Sequence, residues 1–369
     1  MSTVTEAAPS RVLEQFEQLV AALRGGGGRD PELAGALTEL VMAWNRPLRI
    51  QIAGRAHSGR STVREALALM TAQETEAVDL PGGSDPVLDG DLVVYVLSGG
   101  PQPADLRVLA GLPRDRTVVV LNKADAVGSR WSEAVAAADR YGRELGLPMV
   151  PVVASLAVRT KAGVVGEADL ADLRRLAADP SAPAALAVDL FTAPGPDEDV
   201  RRRLLADWDL FGVDTALAAL RADPDLSGPA LIQILHAASG IDPLYRLVHR
   251  RYEQAGALRD GALLDDLRRL AARAVPVAGS RGRALIGEFL AGDDAVWMGL
   301  CAGLACPEVA HLAAGYRSPA PADADEAIDR AVRWRAIVAS DMPPAARRAA
   351  LRVHDGYVRA WERMSSAGL

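Results

Sequence analysis

Residues 54–63, GRAHSGRSTV, place Gly54, Gly59 and Ser61 at the spacing of a phosphate-binding loop, G-x-x-x-x-G-K-[ST]. Such a loop works because backbone N–H groups and a helix N-terminus surround an anion. Gly54 allows the sharp turn, and Gly59 lets the backbone approach phosphate, within a cradle of Ser58, Gly59, Arg60, Ser61 and Thr62. The Ser61 hydroxyl is placed to ligate Mg²⁺ beside a bound nucleotide. Arg60 stands where the pattern has lysine. The chain holds two lysines, Lys123 and Lys161, against 39 arginines, so it carries Arg wherever a generic cation suffices. The exchange still matters, because lysine is a compact point charge and the guanidinium is a wider planar fork.

Three further stretches belong to the same chemistry. VDLPG at 78–82 fits D-x-x-G at the end of a short strand, with Asp79 reaching Mg²⁺ through water and the Gly82 N–H facing a terminal phosphate. LNKAD at 121–125 fits N-K-x-D at the end of a strand. There the Asp125 carboxylate can accept two hydrogen bonds from a guanine edge, Asn122 supports the loop, and the Lys123 stem lies along the base. ASLA at 154–157 puts Ser155 near the base. Each motif is weak alone, but four in this order, each at a strand end, point to a guanine-nucleotide fold, because ligands sit beyond the carboxyl ends of strands in such sheets.

Other chemistries are less supported. Cys301 and Cys306 form a lone C-x4-C without a second pair and read as buried residues, and the five histidines lack ligand spacing. His57 reads as an exposed loop residue. The net charge of −7 argues against general nucleic-acid binding. The first residues lack the plan of a signal peptide and no apolar run reaches the roughly 20 residues of a membrane span, so a cytoplasmic protein is expected. The apolar stretch 295–305 reads as a buried helix, with a membrane-touching tip as the alternative, and Arg201 to Arg203 as a solvated helix end.

The elements that must position these residues follow from periodicity. Half of the 369 residues are hydrophobic, enough for two or three domains with real cores. Helical spacing marks 10–24 and 31–44. Strands are expected at 48–53, 92–98, 117–123 and 149–155, with helices after residue 61 and at 131–145. Near-continuous apolar strands alternating with helices imply a parallel sheet covered on both faces. From about 198 the pattern is helical to the end, with Asp242 as an N-cap before Pro243. The expected division is therefore N-terminal helices at 1–44, an α/β P-loop domain at 45–180, a linker at 181–197 and a helical domain at 198–369. The N-terminal helices are expected to pack with the last of these into one bundle.

The order of the motifs and the DLPG wording resemble dynamin-like GTPases. RPLRIQIAGRAHSGRSTVREAL looks like the first strand and P-loop of the bacterial branch, and RRLLADWDLFGVDTALAAL with ILHAASGIDPLYRLVHRRY is similar to the helical region of actinobacterial isoniazid-inducible dynamin-like proteins. The resemblance runs from about residue 31 to 260. It implies a P-loop GTPase-like parallel sheet on an all-α, stalk-like helical bundle. It also implies GTP or GDP with Mg²⁺ as cofactors, self-assembly or a full-length dynamin-like partner, and peripheral membrane contact at the inner face.

The sequence departs from that pattern where turnover is made. Only 16 residues separate Thr62 from Asp79, and a helix leaving the loop consumes about ten of them at 1.5 Å each. No room remains for a long switch loop, and Thr71 and Thr75 are expected at the far end of that helix. Gly83 follows Gly82, with no side chain to orient water. The expectation is a degenerate dynamin-like protein that binds guanine nucleotide weakly or not at all, hydrolyses little and acts through a partner, with no catalytic residue assigned. The alternatives are an active GTPase that remodels membrane and a helical scaffold with a vestigial site.

Overall fold

The computed structural model describes residues 7–80, 84–128, 130–163, 165–179, 187–274 and 281–367. They form two compact units, one of residues 48–252 and the other of 1–47 with 253–369.

The first unit holds β1 (Ile50–Gly54), α3 (Arg60–Leu67), β2 (Ala72–Glu74), β3 (Leu92–Ser98), α4 (Pro103–Ala110), β4 (Thr117–Asn122), α5 (Trp131–Leu145) and β5 (Met149–Val152). Then come α6 (Ala154–Ala162), α7 (Glu167–Ala178), α8 (Val188–Phe191), α9 (Glu198–Ala222), α10 (Gly228–Ala238) and the first part of α11 (Ile241–Arg273). The second unit takes α1 (Ala7–Arg24), α2 (Asp30–Trp44), the rest of α11, α12 (Gly282–Ala291), α13 (Asp293–Ala305), α14 (Pro307–Ala310), α15 (Ala324–Val338) and α16 (Pro344–Ala367).

The five strands run parallel in the order β2-β1-β3-β4-β5. Side-chain alternation divides them between two cores. Ile50, Ile52, Val94, Val96, Val118 and Val120 face one way, onto α3, α6 and Leu244 and Val248 of α11. Val93, Tyr95, Leu97, Val119 and Leu121 face the other, onto Leu109 of α4 and Ala137 and Ala138 of α5. A third cluster joins α6, α7, α9 and α10 around Leu156, Leu204, Trp208 and Leu231.

This clustering moves the domain boundary. The break expected at 181–197 does not divide the units, because α9 and α10 bury their apolar faces with the sheet-bearing unit and the division falls at Tyr252, inside α11. That helix starts at Ile241, so Asp242 lies inside it rather than capping it. Arg201 is likewise no solvated residue. It is 3% exposed, donating to the carbonyls of Phe191, Ala193 and Pro196.

In the second unit the N-terminal helices pack with α11 and α12. Phe16 meets Trp44 edge-on at 5.7 Å and Phe289 at 4.5 Å between ring centroids. The buried Asp30 carboxylate accepts from the Arg281 and Gly282 amides at 2.8 and 3.1 Å, closing the start of α12. Trp334 and Tyr357 centre a further core of α13, α15 and α16. The apolar run of α13 buries Ala295, Met298, Leu300 and Ala302. No single helix among the described residues is long and apolar enough to cross a membrane, although α13 and residues 307–313 pass that test together as a pair bent by 77°. Burial raises the thiol pKa of Cys301 to about 12 and of Cys306, which also donates to Glu308, to about 11.

Candidate functional site

In a parallel sheet of this order the chain leaves β1 toward β2 on one side while β3 lies on the other, and the crevice beyond the strand ends opens at that switch point. The glycine loop stands there. Gly54 ends β1 with φ of 148°, and a Cβ on it would lie 2.4 Å from the Val96 carbonyl oxygen. His57 is exposed and also has a positive φ, of 60°. Gly59 precedes α3 with φ of 90°, and a Cβ there would lie 2.2 Å from Asn122 Nδ2. Both glycines are therefore required by conformation and by space. No side chain caps the start of α3, so its first amides point outward at the helix N-terminus beside exposed Ser61 and half-buried Thr62. Inside the loop, against Gly54, the buried Ser58 hydroxyl has no hydrogen-bond partner.

On the β4 side two of the sequence-predicted residues, Asn122 and Lys123, bond to this loop. Asn122, 3% exposed, donates from Nδ2 to the Ser58 carbonyl at 3.0 Å and accepts at Oδ1 from the Ala154 amide at 3.2 Å. One amide side chain thus ties the end of β4 to the glycine loop and to the start of α6. Lys123 turns the chain in the left-handed region, with φ of 54°, and its ammonium donates to the His57 carbonyl at 2.9 Å. Asp125 is exposed in the following turn, and Ser155 is half-buried in the first turn of α6. Partial desolvation raises the Asp125 pKa above its ordinary value; the Asp209 charge adds to this, while backbone N–H groups and Lys123 act against it. Asp209 sits at a kink in α9 with φ of 55° and pairs with Arg159 at 3.1 Å.

On the β2 side the charged groups are engaged by other parts of the protein. Arg60 does not reach into the loop. Its guanidinium donates to the Thr75 carbonyl and lies 3.7 Å from the Glu74 carboxylate. Asp79 Oδ1 accepts the Ala56 amide of the loop at 2.8 Å. Asp79 lies beyond the three-residue β2 rather than at its end, although the Val78 amide still bonds the Gly54 carbonyl at 3.2 Å. Gly82 lies outside the described residues. α3 ends at Leu67, where Ala68 takes a left-handed cap, and β2 begins at Ala72. No switch-length segment separates them. Thr75 lies after β2, at the site end of the sheet rather than the far end of the helix.

Mg²⁺ at a nucleotide site is held by one or two protein oxygens together with substrate phosphates and waters. Ser61 offers one exposed hydroxyl and Asp79 a carboxylate that also accepts from the loop, while no group of three His, Cys, Asp or Glu residues placed to hold a metal ion occurs among the described residues. Beside them lie a helix start whose N-cap, Gly59, has no capping side chain, and an exposed carboxylate, Asp125, beyond β4.

The sequence reading missed a second tether. Asp105, fully buried at the start of α4, accepts from Arg55 of the loop at 2.9 Å, from the Tyr95 hydroxyl at 2.9 Å and from the Gln102 amide at 2.9 Å. Burial and that carboxylate drive the Tyr95 phenol pKa well up. The signal was QPAD at 102–105, a proline at the helix start with an acid at its third position. The second lysine also serves this region, since Lys161 of α6 donates to the Ala66 carbonyl of α3. No family model matches this chain, and no curated protein matches it.

Proposed function

We propose that this chain is a degenerate dynamin-like GTPase that binds guanine nucleotide at the loop 54–62, hydrolyses it little or not at all, and acts through a partner or a second copy. The observation that carries the reading is the double hydrogen bond of Asn122, which locks the N-K-x-D turn against the glycine loop. Base and phosphate recognition then share one rigid frame, strengthened by Lys123 on the His57 carbonyl. Asp125 supplies the base test. Its carboxylate has lost part of its hydration, and a guanine edge with two N–H donors replaces what was lost, whereas adenine presents no such pair.

The same site is poor for turnover. Phosphoryl transfer depends on positioned charge and an oriented nucleophile. Here the loop cation is turned to Glu74 and Thr75, and four residues join α3 to β2 where a switch segment would stand. Those engaged groups also favour a second reading, a scaffold that keeps the loop shape as a vestige.

Titration of the purified chain with a fluorescent GDP analogue, beside a phosphate-release assay with GTP, separates these readings. Saturable binding with turnover at background supports the proposal. No saturable binding leaves the scaffold, and robust Mg²⁺-dependent turnover lost in Ser61→Ala establishes the active GTPase.

A further inference from the structure

The strand order gives a bound nucleotide a direction. Asp125 lies beyond β4 and the glycine loop beyond β1, with β3 between them and β2 outside. A base held at Asp125 therefore runs its phosphates toward β1, and the phosphate farthest from the base lies toward the β2 edge. What stands at that edge decides how many phosphates the site accepts.

Two independent contacts define it. The first is the Ala56 amide, an outer donor of the loop, which gives its hydrogen to Asp79 Oδ1 at 2.8 Å. A carboxylate of this chain thus holds an anion position that a terminal phosphate oxygen would need. The second is Arg60, which the sequence pattern assigns to phosphate. It is 14% exposed in its side chain and held between the Thr75 carbonyl and the Glu74 carboxylate, 3.7 Å away. Arg55, the other loop arginine, is committed to the buried Asp105. Charge available to the inner phosphates is different in kind. It comes from the amides at the start of α3, whose N-cap, Gly59, has no side chain to cap them.

We infer that the site selects a nucleoside diphosphate over the triphosphate, because Asp79 caps the loop where a third phosphate would sit and Glu74 holds the arginine that would neutralise it. The inference rests on the guanine-nucleotide reading above. A diphosphate uses the helix amides and leaves the Asp79 contact intact. A triphosphate must displace a carboxylate, or lie against it with no cation between, and like charges at such range repel by more than most hydrogen bonds contribute. The consequence is a protein that holds the product state of a GTPase cycle.

The test is calorimetric titration of the full chain with GDP and with a non-hydrolysable GTP analogue, both in EDTA so that no metal ion bridges Asp79 to phosphate. GDP is expected to bind at least about tenfold more tightly, and Asp79→Asn, which keeps an acceptor for Ala56 but removes the charge, narrows that ratio at least about fivefold. If the variant does not fold, the wild-type ratio alone decides. Equal affinities, or a tighter triphosphate, overturn this inference and leave the guanine-nucleotide reading standing. Failure of both nucleotides to bind sinks that reading, and this one with it.

Discussion

At the β4 end of the site Asn122 and Lys123 bond to the loop. At the β2 end Arg60 turns away to Glu74 and the Thr75 carbonyl, and Asp79 caps the Ala56 amide. Asn122 ends, and Lys123 follows, an interior strand whose residues are all buried, so the chain there has one geometry and the two side chains reach fixed carbonyls at 3.0 and 2.9 Å. β2 is a three-residue edge strand with no buried residue that ends at Glu74, and the segment after it carries Asp79, which accepts from the loop. Donors without partners recruit the nearest acceptor, and here the acceptors are the chain's own. A buried frame preserves a recognition pattern, whereas an exposed edge without a switch segment folds its charges inward. In the proposed function, that difference is what separates binding from turnover.

Removing the frame should have the largest effect. Gly54→Ala puts a Cβ 2.4 Å from the Val96 carbonyl at a φ that alanine disfavours, and neither backbone can give way. We expect a loss of about 3 kcal/mol in urea unfolding. A loss below about 1 kcal/mol would show that the loop is not pinned to β3. Asn122→Ala comes next. It leaves the Ser58 carbonyl and the Ala154 amide without their partner and should cost about 2 kcal/mol. It should also abolish GDP binding in the folded fraction, and retention of full affinity would uncouple base from phosphate recognition.

Asp125→Asn sharpens the comparison by pH. The folded-state pKa of Asp125 lies above its ordinary value of 3.8. Its protonated form therefore favours the fold below that value, and stability is lost as pH rises through the folded pKa. The variant should match the wild type in thermal midpoint below pH 3.8 and exceed it slightly at pH 7. A lower midpoint at pH 7 would mean that the carboxylate is structurally paired. Smallest of all is the effect of Arg60→Lys on turnover. Restoring the lysine does not restore the switch segment, so GTP hydrolysis should stay at background, and a rise of tenfold or more would place the defect in that one side chain.

Much of this was legible in the chain. The strand at 92–98 and the helix at 131–145 match their expected limits, because one is an unbroken apolar run and the other closes on Gly146 in the left-handed region. β2 was not legible as Ala72–Glu74, since AQE carries no strand pattern and pairs only because β1 offers an open edge. Within the candidate site, spacing identified Gly54 and Gly59, which the backbone conformation requires, and Asn122 and Lys123, whose side chains bond carbonyls of the loop. The diversion of Arg60 to Glu74 and the capping of Ala56 by Asp79 join residues 14 and 23 positions apart in sequence. No local pattern encodes such choices. Arg201 makes the same point, because the carbonyls it satisfies converge only after the chain folds.

The central claim is that a guanine nucleotide is recognised from the β4 end. Calorimetric titration of the full chain with GDP and with ADP, in one buffer and at one salt concentration, addresses it most directly. The account predicts saturable GDP binding at least about tenfold tighter than ADP, a margin that Asp125→Ala erases, because a polar site left unpaired by the wrong base loses that much. Equal affinity for the two bases in the wild-type protein, or no binding of either, would contradict it.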